Sequence, residues 1–111
     1  MREETRRAVA NAVLPRGEGD HRALFSQEAN AWTNMSWTDG GFFDHGAGAH
    51  VVRTDEGLFH HGLGDHIRLE VEGSQFRGYD HGSQRAFNGA VQGANVIIHD
   101  PKAGRHYLFK L

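Results

Sequence analysis

His66-Ile67-Arg68-Leu69-Glu70-Val71-Glu72-Gly73-Ser74-Gln75-Phe76-Arg77 carries the cleanest periodicity in the chain. Ile67, Leu69 and Val71 fall on one face and His66, Arg68, Glu70 and Glu72 on the other, the two-residue period of a half-buried strand. Gly73-Ser74 puts glycine first, as a type II′ hairpin turn requires, which sets Val71 opposite Phe76 and Glu70 opposite Arg77. An apolar pair and an opposite-charge pair meet in one register, the signature of an antiparallel hairpin.

The same reading extends to either side. His50-Val51-Val52-Arg53 and Leu58-Phe59-His60-His61 flank Thr54 to Gly57, and counting outward pairs Arg53 with Leu58, Val52 with Phe59, Val51 with His60 and His50 with His61. Asn95–His99 and His106–Lys110 surround a Pro101–Gly104 turn, so Ile98 faces Tyr107, Val96 faces Phe109 and His99 faces His106. Between these hairpins, Asp80 to Gly93 reads as a long glycine-rich loop with one short strand around Phe87 to Val91, and Thr38 to Gly48 as a loop or short edge strand.

Upstream the period changes to that of helices. Thr5, Ala8, Val9, Ala12 and Val13 form one stripe over residues 3–14, which Pro15 ends. Asp20 is placed to cap a second helix over about residues 20–34, with Leu24, Phe25, Ala31, Trp32 and Met35 on its apolar flank. The expected fold is therefore α+β: two N-terminal helices packed on an antiparallel meander of about five to seven short strands spanning about residues 50–110. A faint internal echo links Phe43-Asp44-His45-Gly46 to Tyr79-Asp80-His81-Gly82, without the fixed spacing of a solenoid.

At 111 residues the chain suits a single domain over 1–111, and 38% hydrophobic with 23% charged residues fits an ordinary soluble core. The longest aliphatic run is Val96 to Ile98, far short of the roughly 20 residues of a spanning helix. The charged start Met1-Arg2-Glu3-Glu4-Thr5-Arg6-Arg7 leads into no apolar signal region, so the cytoplasm is the default compartment, with secretion as a processed fragment left open. Zero cysteines rule out disulfides, thiolate metal sites and a cysteine nucleophile. Twelve basic against fourteen acidic residues give a formal charge of −2, no electrostatic footprint for nucleic acid or an acidic membrane.

Nine histidines are the chemical anomaly. Five adjoin an aspartate, at Asp20-His21, Asp44-His45, Asp65-His66, Asp80-His81 and His99-Asp100. A carboxylate bonded to an imidazole fixes its tautomer and raises its basicity, although neighbours in a regular strand point to opposite faces. His50 and His61, opposite each other in their hairpin, are near enough to share a zinc or iron ion, with His45, His66 or His81 as a third ligand from adjoining loops. Ser26, Ser36, Ser74 and Ser83 include no nucleophile elbow, and no phosphate loop or dinucleotide fingerprint is present.

No complete catalytic constellation emerges. The leading expectation is a small binding or assembly module, with a homodimer formed through an exposed sheet edge. The alternative is a histidine-rich divalent-metal domain or metal-dependent enzyme built on His50, His61 and a loop histidine. A nuclease-like toxin domain follows only by analogy to folds with helices preceding an antiparallel sheet, and the negative charge opposes it.

Overall fold

The computed structural model describes all 111 residues. One helix, α1 (Glu3–Val13), is followed by ten strands: β1 (His21–Ser26), β2 (Ala31–Thr38), β3 (Gly41–Asp44), β4 (Ala49–Arg53), β5 (Gly57–His60), β6 (Asp65–Glu72), β7 (Gln75–Asp80), β8 (Arg85–Gln92), β9 (Asn95–Asp100) and β10 (Arg105–Lys110). Each strand pairs antiparallel with its sequence neighbours, and β10 returns to β1, closing an up-and-down barrel. The molecule is thus almost all β, not two helices on an open meander.

The second expected helix is the decisive correction. Residues 20–34 form most of the β1–β2 hairpin, with Phe25 opposite Trp32 and Leu24 opposite Thr33. The Phe25 and Trp32 rings, 5.1 Å apart, face outward, while Leu24 and Met35 point into the core. A separation of seven residues fits two helical turns and also fits cross-strand partners around a four-residue loop. That loop contains no glycine, and Asn30 supplies its left-handed residue at φ 52°. The stretch 38–48, expected as a loop or short edge strand, holds the four-residue β3, and 80–93, expected as a long loop with one short strand around Phe87 to Val91, holds the eight-residue β8. The three hairpin registers counted from sequence agree with the structure wherever strand partners are assigned, including Val71–Phe76, Val51–His60 and Ile98–Tyr107.

Helix α1 does not lie on a sheet face. Seven consecutive residues, Thr5 to Asn11, are buried, so no side of it meets solvent there. It runs along the barrel lumen. Arg7 bonds Asp44 on β3, Arg6 lies over Tyr107 on β10, and Arg22 on β1 bonds Asn11. An eight-stranded barrel is about wide enough for side chains alone to fill, so ten strands leave a wider lumen. The small residues Ala8, Val9 and Ala10 let a helix occupy it, against a lining of Leu24, Met35, Phe42, Val51, Leu58, Ile67, Val96, Ile98 and Phe109. On the β7–β8 side the phenyl rings take inward space left by glycine. A Cβ at Gly78 would come within 2.4 Å of the Phe87 ring, and one at Gly89 within 2.4 Å of the Phe76 ring.

The polar ends of α1 find partners in the wall. Arg22 donates to the carbonyls of Asn11 and Pro15, and Arg53 donates to that of Ala12, satisfying carbonyls at the helix C-terminus. Closure also removes the exposed edges on which a dimer by strand addition rests. The analogy to helix-before-sheet nucleases loses its basis with the second helix. No helix is long and apolar enough to cross a membrane.

Candidate functional site

The end of the barrel that receives the N-terminus of α1 is built from one device used five times. Ser26, Asp44, His60, Asp80 and Asp100 end strands β1, β3, β5, β7 and β9, each almost fully buried. Each is followed by a four-residue loop whose last member has positive φ: Asn30, Gly48, Gly64, Gln84 and Gly104. In four of the five, the buried side chain accepts from the N–H three residues on, at Ala29, Ala47, Leu63 and Ala103. Asp80 instead accepts from the Gly82 N–H and from the Ser83 hydroxyl, at 3.1 and 2.6 Å. These inward groups hold the loops by the local bonding that short polar side chains offer a turn.

The device explains much of the histidine excess. Where an aspartate points inward to hold a loop, its histidine neighbour points outward onto an aromatic ring of the barrel wall. His45 and His50 pack at 4.9 and 4.8 Å on either side of Phe43, with His45 Nε2 2.7 Å from the Ser36 hydroxyl. His61 and His66 flank Phe59 at 4.8 and 4.7 Å, His81 packs on Tyr79 at 4.9 Å, and His99 stacks on His106 at 4.3 Å. These seven histidines form an aromatic band outside one end of the barrel.

The five candidate metal ligands, His45, His50, His61, His66 and His81, therefore lie in this band. His50 and His61 are adjacent, since the His61 N–H donates to the His50 carbonyl at 2.9 Å, but their rings pack on different phenylalanines. No group of three or more histidine, aspartate or glutamate side chains is placed to hold an ion.

Within this end, two of the buried aspartates meet a cation at short range. Arg7 Nε donates to Asp44 at 2.9 Å, and Arg85 to Asp100 at 3.0 Å. The amino terminus lies 4.0 Å from Asp100. Burial raises the Asp100 pKa, but the Ala103 N–H, Arg85 and the amino terminus together outweigh it and hold the carboxyl below its ordinary value. The positive end of the α1 dipole adds to the field that favours carboxylates here.

His60, the one histidine in the ring, was not among the sequence candidates. It is fully buried, and burial lowers its pKa against the opposing pull of Asp44 and Glu4. Its Nδ1 accepts from the Leu63 N–H at 3.2 Å, which places the proton of the neutral ring on Nε2. Nε2 has no protein partner. A cavity of about 300 Å³ borders it, lined by Glu4, Arg7, Gly46, Ala47, His60, Gly62 and Leu63. The sequence signal was available: His60 occupies the position held by Asp44 and Asp100, four residues before a left-handed glycine.

A larger hollow of about 900 Å³ lies on the side of the barrel across β6 to β10. Ala90 and Ile97 contribute apolar surface on the outward face, with Ile97 40% exposed. Glu70 and Arg77 form one wall, His99 and His106 another. Glu70 accepts from both Arg77 and Arg68, at 3.0 and 3.1 Å, which depresses its pKa. No known protein family, curated protein or solved structure matches the chain.

Proposed function

We propose that the protein is a binding module whose principal site is the hollow on β6 to β10, and that its ligand is a small amphipathic molecule. The observation that carries this reading is the combination of size and lining. A concavity of about 900 Å³ falls within the roughly 300–1,000 Å³ of small-molecule sites, and it joins exposed Ile97 to the ion-paired Glu70 and Arg77. The apolar body of a ligand would rest on Ala90 and Ile97. Its polar head would meet Arg77, whose Nε is committed to Glu70 while its terminal nitrogens have no protein partner.

Binding rather than catalysis fits the chemistry of the lining. Glu70, doubly bonded to guanidinium groups and lowered in pKa, is a poor proton acceptor. The test uses the dye 8-anilinonaphthalene-1-sulfonate, an apolar aromatic body with an anionic head. Its fluorescence is expected to rise on adding folded protein, and Ile97→Glu is expected to abolish the rise while leaving the melting temperature unchanged. Undiminished dye binding by that variant would overturn the reading.

A further inference from the structure

We propose a second site, independent of the hollow: the cavity beside His60 binds a small amino-carboxylate, with its carboxylate on His60 Nε2 and Arg7 and its ammonium group on Glu4. Three observations converge. A fully buried N–H donor with no acceptor is costly, and His60 Nε2 is one at a cavity wall. Arg7 reaches the same cavity, and only its Nε is used by Asp44, so its terminal nitrogens remain to receive an acceptor in the forked geometry that suits a carboxylate. Glu4 completes the lining as an acceptor for a cation, because the Arg7 charge is already balanced by Asp44.

The remaining lining favours a compact ligand. Gly46, Ala47 and Gly62 contribute almost no side-chain bulk. Gly62 has no room for more, since a Cβ there would lie 2.6 Å from that of Ala49 and 3.2 Å from the His60 ring. The two donors and one acceptor match a carboxylate and an amine on one short skeleton, and match neither a simple carboxylate nor a simple amine as well.

Titration of uniformly ¹⁵N-labelled protein with glycine, L-alanine, acetate or methylamine, followed through the His60 ring nitrogens, tests the assignment. Glycine or L-alanine is expected to give a saturable shift at His60 Nε2, with acetate and methylamine each about tenfold weaker, the loss of roughly one charged hydrogen bond. Glu4→Gln should bring the amino acids down to the affinity of acetate. His60→Asn keeps an acceptor for the Leu63 N–H, so it should fold, and should weaken amino-acid binding about tenfold by calorimetry. No saturable shift at His60, equal shifts across the outer histidines, or an unchanged preference in Glu4→Gln would each overturn the proposal. None of these outcomes depends on whether the hollow binds the dye.

Discussion

Asp44 ties a loop of the polar end to the helix inside it. Its Oδ1 accepts from the N–H groups of Gly46 and Ala47, and its Oδ2 meets Arg7, with Asp44 wholly buried. Asp44→Asn retains an oxygen for the loop but leaves Arg7 charged, buried and uncompensated. The expected loss is about 3–5 kcal/mol by urea unfolding, the cost of breaking a buried pair from one side. A loss under about 1 kcal/mol would make the pair equivalent to a surface one. His60 supplies a pH dependence. Its folded pKa is lowered, so below about pH 6.5 the unfolded chain takes up a proton that the folded chain refuses. Its contribution is present above that pH and is lost as pH falls through it toward the folded pKa, by at most about 1.4 kcal/mol per pH unit. Melting temperatures between pH 7.5 and 5 should fall less steeply in His60→Asn than in the parent protein, and identical slopes would exclude the coupling.

At the scale of elements, α1 separates a lumen helix from a helix laid on a sheet. Ala10 lies off the stripe of Thr5, Ala8, Val9, Ala12 and Val13, so a sheet-packed helix would present it to solvent. In the barrel it is fully buried. Ala10→Leu is expected to cost about 1–3 kcal/mol by overpacking, and a neutral effect in thermal or urea unfolding would contradict the lumen placement. The hairpins were legible to different degrees for a physical reason. Gly73 and Gly104 take φ 62° and 65°, and their glycines marked the turns in advance. Asn30 and Gln84 adopt the same left-handed conformation at φ 52° and 57° without that marker, and β1, β2 and β8 were missed or shortened beside them. The polar residue four positions earlier, Ser26 or Asp80, was the surviving signal.

For the whole molecule, closure rests on a narrow seam. β1 and β10 share only the pairs Phe25–Lys110 and Ser26–Phe109, against six pairs between β1 and β2. Charge has a whole-molecule consequence too. Protonating all nine histidines takes the formal charge from −2 to +7, and seven of those charges would lie in the band at one end. Free-solution electrophoresis should show mobility changing sign near the sequence pI of 6.5. Mobility that stays anionic at pH 5.5 would mean that the band does not take up protons.

Three hairpin registers, the first helix, the lack of cysteine chemistry and the histidine excess are legible in the chain's residues, because each is written in local period, turn glycine or composition. Closure of the sheet, the burial of α1 inside it, and the inward turn of Asp44, Asp80 and Asp100 to hold loops emerge only in the folded molecule. Closure joins β1 to β10 across the full length of the chain, and no local pattern encodes such a contact. The His60 cavity has the same origin: Glu4 and Arg7 on the helix are distant in sequence from Gly46 and His60 and become their neighbours only when the helix enters the lumen. An α1 stripe compatible with a sheet face did not reveal that its other sides would be buried as well. Arg6, Arg7 and Asn11 lie off that stripe, and the barrel supplies Tyr107, Asp44 and Arg22 as their partners.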